Sequence, residues 1–235
     1  MNLIILFETD FIDTNRVRLG GRRFRHVLEV HRARAGDELT VGLLNGGIGA
    51  GRITFLDEGR LEMEVSLDRE PPLPLPVTLV LALPRPKVLK RVLIAASSMG
   101  VKRIYLINAF RVEKSFWKSP VLYSESINEQ LVLGLEQARD TLLPDVVLKP
   151  LFKPFVEDEL PGIMEGTLRL VAHPHAAEPC PCAVARPVTL AVGPEGGFIP
   201  YEIERLKECG FRPVYLGERI LRTETAVPAL LAKLF

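Results

Sequence analysis

The chain has 235 residues, 47% apolar and 25% charged, and its 30 basic and 29 acidic side chains leave a formal charge of +1. That is the composition of a soluble globular protein with enough chain to bury a core, as one large domain or a small one plus a medium one at about 150 residues per domain. Cys180, Cys182 and Cys209 are too few for a disulfide framework, no apolar run approaches the roughly 20 residues of a membrane helix, and the near-zero net charge moves any question of partners to local charge.

The chain opens with "MNLIILFETD", which is apolar but short, lacks a basic leading stretch and meets Glu8 and Asp10 at once. It does not read as a signal peptide, and a reducing, cytoplasmic location is expected. Between Arg16 and Arg34 stand seven arginines and two histidines against one glutamate. Such a block is either a solvated helix face or a footprint for a nucleic-acid backbone, where arginines release counterions from phosphate. Within it only "GRRFRHVLEVHRA" looks helical. The runs that follow, "DELTVGLLN", "GAGRITFLD" and "GRLEMEVSL", are short, glycine-punctuated and alternating in "RITF" and "LEMEV", which predicts a small β-barrel.

"REPPLPLPV", residues 69–77, holds four prolines in six positions and marks a boundary, since such a segment is extended and semi-rigid. Beyond it the pattern changes to apolar runs without polar alternation: "VTLVLAL", "KRIYLIN", "DVVLKPLF", "LRLVAH", "VTLAVG" and "RPVYLG". Helices are predicted over 86–99, about 124–139, "PYEIERLKEC" and 225–234. Strands covered on both faces, alternating with helices, predict a parallel α/β sheet.

Three stretches of this second part invite chemistry. "HPHAAEPCPC", residues 173–182, has two histidines and two cysteines, but Cys-x-Cys with a proline between is not the spacing of a zinc site, so no metal is expected and a proline-rich loop is. "LAVGPEGGFIP", residues 190–200, ends an apolar strand in a glycine-rich turn that matches neither the P-loop nor the dinucleotide fingerprint. It either turns a corner or brings backbone N–H groups close to a ligand outside the carboxyl end of a strand. "VYLGERILRTETA" is a second strand-end loop, with Arg219 and Arg222 ahead of a final helix.

Taken together, "LAVGPEGGF" and "VYLGERILRTETA" resemble the signature of the RsmE family, the 16S ribosomal RNA uracil-N3 methyltransferases of the SPOUT superfamily. "FRHVLEVHRARAGDELTV" is similar to the N-terminal PUA-like β-barrel of that family, so the resemblance spans the chain. It implies a PUA-like RNA-binding barrel over residues 1–70, a linker over 71–76, and an α/β methyltransferase domain with a deep trefoil knot over 77–235. It also implies S-adenosyl-L-methionine as cofactor, 16S rRNA or the small ribosomal subunit as partner, and a homodimer.

Matched by position, the cofactor falls to Ala172, His173, Gly193, Glu195, Gly196, Gly197, Leu216, Gly217, Ile220 and Leu221. Glu195 either bonds the cofactor or holds the loop. Arg222, with Arg219 sharing the role, is the candidate for stabilising charge on the uracil or anchoring its phosphate; either arginine could instead pair with Glu224. No general base is assigned. RNA contacts are expected from Arg22, Arg23, Arg25, His26, Arg32 and Arg34.

The sequence departs from the family where a Lys-Ala-Thr-Glu-Leu-Gly-like helix end reads "AASSMG", putting Ala95 and Ser98 at the lysine and glutamate positions. In "QARD", Asp140 stands at the usual arginine position. These differences leave open a methyltransferase for another RNA position, or a catalytically silent relative that still binds cofactor and RNA.

Overall fold

The computed structural model describes residues 2–57 and 59–235. They form two compact units: the chain up to Leu73 with Leu135–Leu143, and Pro74–Gly134 with Pro144–Phe235.

The first unit is a half-barrel sheet of five strands: β1 (Ile4–Leu6), β2 (Arg16–Leu19), β3 (Glu38–Leu43), β4 (Ile48–Leu56) and β5 (Leu61–Arg69), in the order β1-β3-β4-β5-β2. β1 runs parallel to β3, and the other pairs are antiparallel. Alternation works as the pattern predicts in β5, where Leu61, Met63 and Val65 are buried and Glu64 is exposed. It fails in β4. The register shifts between Ile53 and Phe55, so Phe55 leaves the core face and lies under the Arg60 guanidinium, 4.1 Å from its ring centre.

β2 lies inside the arginine block and alternates too, burying Val17 and Leu19 while Arg16 and Arg18 face out. The helical part of the block is α1 (Gly21–His26), continued by a π-helical turn over Val27–His31 and ended by Arg32 at φ 51°. Its Phe24 and Val27 join the core of Ile4, Leu6, Val41 and Ile53.

Arg23 fastens α1 to the chain start. Its guanidinium meets both carboxylate oxygens of Asp10, at 2.5 and 2.8 Å, donates to the Ile5 carbonyl at 2.8 Å, and lies 4.8 Å from the centre of the Phe7 ring. Asp10 also accepts the Phe7 N–H at 2.7 Å. The segment Leu135–Leu143 is fastened into the same unit by Thr141, which donates to Gly46 O and accepts, through its carbonyl, the Asn45 N–H at 2.8 Å.

The second unit contains β6 (Val77–Ala82), α2 (Pro86–Ser98), β7 (Arg103–Ile107), α3 (Ser124–Ala138, whose last residues belong to the first unit), β8 (Asp145–Lys149), α4 (Phe152–Pro154) and α5 (Leu160–Ile163). It continues with β9 (Leu168–Ala172), β10 (Glu178–Pro179), β11 (Val188–Val192), α6 (Pro200–Glu208), β12 (Arg212–Tyr215) and α7 (Thr223–Leu234). The seven strands are all parallel, in the order β10-β12-β9-β11-β6-β7-β8. β6 and β11 lie side by side with every residue buried, as their unbroken apolar runs predict. "DVVLKPLF" is strand only to Lys149, and α4 begins at Phe152.

Register places the site. Val192 of β11 pairs with Ala172 of β9, and Ala172 pairs with Val214 of β12. Three strands therefore end together, and the chain leaves each at the same end of the sheet.

The Arg23–Asp10 pair generates a test within the arginine block. Arg23→Ala leaves a shielded carboxylate without its partner and is expected to lower unfolding stability by about 3 kcal/mol. Arg25→Ala, at an exposed position, is expected to stay within about 0.5 kcal/mol. Urea unfolding of both variants checks the difference.

Candidate functional site

Gly193 to Gly197 form the turn leaving β11. The Gly197 N–H donates to Pro194 O at 2.8 Å, and Gly197 takes φ 71°, which side-chain-bearing residues rarely adopt. A Cβ on Gly193 would lie 2.9 Å from the Phe198 nitrogen. These two glycines are therefore demanded by the turn itself. Gly217, in the loop after β12, is different: a Cβ there would meet no protein atom within 4 Å, and its φ is not in the left-handed region. Neither packing nor backbone conformation requires that glycine.

The turn is held from outside by side chains. Glu195 accepts the backbone N–H of Arg85 at 3.0 Å, so its carboxylate closes the start of α2, which has no side-chain cap of its own. Arg111, in the loop after β7, donates to the Gly196 carbonyl. Glu202 of α6 is buried and accepts two backbone N–H groups, from Ile199 at 2.9 Å and from Phe110 at 2.7 Å. The loops after β7 and β11 are thereby locked to α6.

A cavity of about 310 Å³ lies among these loops. Every residue assigned to the cofactor from sequence lines it: Ala172 and His173 after β9; Gly193, Glu195, Gly196 and Gly197 after β11; Leu216, Gly217, Ile220 and Leu221 after β12. Arg219 lines it as well, and Arg222 does not. Both arginines are exposed, and neither makes a side-chain hydrogen bond or ion pair among the described residues. Glu224, the candidate partner for either, faces Arg91 of α2 instead at 3.6 Å. The Arg222 carbonyl accepts the N–H groups of Thr225 and Ala226 and so starts α7.

Phe198, Tyr215 and Thr223, which lie within the two quoted loops without a role assigned from sequence, also line the cavity, as does Arg111, which lies outside every motif. Arg111 has one usable signal, its position a few residues past the end of a parallel strand, where ligands gather.

His173 accepts the His175 N–H at 3.2 Å through Nδ1. Burial, then the positive charges of His175 and Lys207, hold its pKa below the usual 6.5, so the imidazole is neutral at neutral pH. Further along "HPHAAEPCPC", Cys180 is buried and Cys182 exposed. Among the described residues no group of three His, Cys, Asp or Glu side chains is arranged to hold a metal.

The candidate RNA residues divide. Arg25, Arg32 and Arg34 face solvent. Arg22 pairs with buried Glu136 at 2.8 Å, Arg23 is committed to Asp10, and His26 has a buried Nε2 without a hydrogen-bond partner among the described residues. Burial lowers the His26 pKa, and burial raises that of Glu136 against the pull of Arg22. At the positions that depart from the family pattern, Ser98 donates to the Ile94 carbonyl at 2.8 Å, and buried Asp140 accepts the Leu142 N–H at 2.9 Å. Both side chains fasten local backbone.

A family model for an RNA methyltransferase domain matches residues 71–234. The ribosomal RNA small subunit methyltransferase E of Treponema pallidum is 31% identical over 97% of this chain and 89% of its own length. The protein of the same name from Synechocystis is 28% identical over 93% of this chain and 72% of its own. Among solved structures, ribosomal RNA small subunit methyltransferase E from Neisseria gonorrhoeae, bound to S-adenosyl methionine, superposes with a TM-score of 0.74 at 24% identity, covering 98% of this chain and 95% of that one. A methyltransferase from Legionella pneumophila, in complex with the same cofactor, gives 0.75 at 22%, covering 99% and 96%. At these identities the two structures bear on the fold.

Two outcomes follow from the loop geometry. Gly193→Ala forces a Cβ against the turn and is expected to cost about 1–3 kcal/mol, whereas Gly217→Ala is expected to unfold with the wild-type midpoint. The second concerns pH. An unfolded His173 binds a proton near pH 6.5 and the folded one only lower, so stability falls as pH drops from 6.5 toward the folded value. Between about pH 7.5 and 5.5 the wild type is expected to lose more stability than His173→Gln, as read by denaturant titration at each pH.

Proposed function

The chain belongs to the RNA methyltransferase family, and from that premise we propose that it transfers the methyl group of S-adenosyl-L-methionine to N3 of a specific uridine in 16S ribosomal RNA. The observation that carries the cofactor assignment is the space beside Gly217. A glycine that neither the turn nor the packing requires keeps room open in a cavity of about 310 Å³, within the range of small-molecule sites. The lining suits such a molecule: apolar walls from Leu216, Ile220 and Leu221, and the glycine-rich turn after β11.

When bound, the cofactor supplies an electrophilic methyl group on a positively charged sulfur. The protein's own work is to align, to exclude water and to manage charge. Neutral His173 puts no cation into a cavity that must take one. Glu195 is committed to the Arg85 N–H, so its part is to hold the turn. Uracil N3 has no free lone pair until its proton leaves. We assign Arg222, with Arg219 on the cavity wall, to stabilise the negative charge that then develops on the base or to anchor its phosphate. That neither guanidinium makes a side-chain pair among the described residues supports that role, since a loop-fixing function would tie them to Glu224.

The finer architecture is read with the family. The half-barrel is taken as a PUA-like RNA-binding domain ending near residue 70, and the domain from residue 77 as a SPOUT fold with a deep trefoil knot. For the knot, support comes from β11 lying between β9 and β6, and from Ala183 and Val184 donating to the carbonyls of Lys233 and Leu234 near the end of α7. A cytoplasmic homodimer follows from the same reading. The departures from the family pattern at Ala95, Ser98 and Asp140 carry the second reading, methylation of another RNA position.

The test is methyl transfer from labelled cofactor to small ribosomal subunits lacking the modification, with the product identified by nucleoside mass spectrometry. 3-Methyluridine is expected; a different methylated nucleoside selects the second target. Arg222→Ala is expected to lower kcat about 100-fold or more with cofactor affinity retained. Gly217→Val is expected to weaken cofactor binding at least about tenfold by filling the cavity.

A further inference from the structure

We propose that Arg85, Lys87 and Lys90, at the start of α2, form a contact surface for RNA phosphodiesters beside the methyl-transfer cavity. This rests on the reading that the substrate is RNA, and it adds a second RNA surface to the arginine block of the first unit.

The segment Pro84–Arg91, "PRPKVLKR", holds four cations and no acid. Lys87 and Lys90 stand three residues apart on α2 and so share a face. Helix physics opposes this arrangement. The N-terminal end of a helix is its positive end, where acids are stabilising and cations are not. α2 nevertheless has no acid in its first turn and no side-chain cap. Its stability therefore gives no reason for these side chains.

Nor does pairing. Arg85, Lys87 and Lys90 are all exposed, and none makes a side-chain hydrogen bond or ion pair among the described residues. Lys90 stays unpaired although Glu125 and Glu129 line the same shallow depression. Those two acids bound the surface on the α3 side. On its other side the neighbouring structure belongs to the site: Arg91 meets Glu224 in the first turn of α7, and α2 packs against α7.

The link to the cavity is direct. The Arg85 N–H is held by Glu195, whose own turn lines the cavity. That carboxylate already occupies the backbone end of α2, so the side chains and not the helix terminus make the contact. Lysine and arginine on a rigid helix suit phosphates without regard to base, and would position a strand while the cavity acts on one nucleotide.

The experiment compares wild type, Lys87→Gln/Lys90→Gln and Lys87→Glu/Lys90→Glu, all as full-length protein. The probe is small ribosomal subunits lacking the modification, bound at several salt concentrations between about 50 and 200 mM. The charge-reversed variant is expected to bind about tenfold or more weakly. The glutamine variant is expected to flatten the slope of log affinity against log salt by about 1.4, the effect of losing two single-strand phosphate contacts. Cofactor affinity by calorimetry should be unchanged, and the Tm of the glutamate variant should equal or exceed that of wild type, because an acid suits that helix end. Wild-type affinity in the reversed variant overturns the proposal, as does weaker binding with an unchanged salt slope. Unchanged RNA affinity with loss of binding to a polyglutamate peptide would assign the surface to an acidic protein and also overturn it. If wild type itself neither binds nor methylates the subunits, it is the RNA reading of the whole site that fails.

Discussion

The site depends on strands that end in register. Ala172, Val192 and Val214 are cross-strand partners in a parallel sheet, so three separate stretches of chain leave the same end of the sheet together. No loop could build the cavity alone. The turn after β11 supplies backbone, the loop after β12 supplies apolar walls and Arg219, and the end of β9 supplies His173. Parallel strands require long crossovers, which is why the contributing segments are so far apart in the chain.

What keeps these loops in place is a small set of side chains acting on backbone groups. Glu202 spends both carboxylate oxygens on N–H groups from two different loops, Arg111 takes a carbonyl of the glycine turn, and Glu195 closes the open end of α2. Glu202 is buried with both carboxylate oxygens satisfied, so the loops it holds are fixed without the cavity being packed solid. The same bonds explain why carboxylates sit beside a candidate cofactor site without being free to act in it. Glu195 and Glu224 are both engaged elsewhere, whereas Arg219 on the cavity wall makes no side-chain pair among the described residues.

The arginine block shows how one stretch of like charges can serve two ends. Arg23 makes a shielded ion pair that ties α1 to the chain start, and Arg22 compensates buried Glu136. Arg25, Arg32 and Arg34 remain open to solvent. Charge density in the sequence could not separate these roles, because the partners Asp10 and Glu136 come from before the block and from the far end of α3. The cations at the start of α2 are the converse case: Arg85, Lys87 and Lys90 stand as close together in sequence, but none makes a side-chain pair among the described residues.

Local patterns were enough for much of this protein. The unbroken apolar runs of β6 and β11, the alternation of Leu61, Met63 and Val65, the proline-rich break and the glycine turns are all short-range signals, because burial on one or two faces writes itself into neighbouring residues. Three-residue β1, the π-helical turn, the bulge that turns Phe55 outward and α4 were not legible, since too few residues separate them from loop. Sequence by itself also determined which residues form the two strand-end loops. Only the tertiary structure decided that Gly193 and Gly197 serve the turn while Gly217 serves the cavity, that Glu195 faces Arg85, and that Arg111 and Glu202 hold the site. Those distinctions rest on contacts between segments many residues apart, and a spacing along the chain carries no record of them.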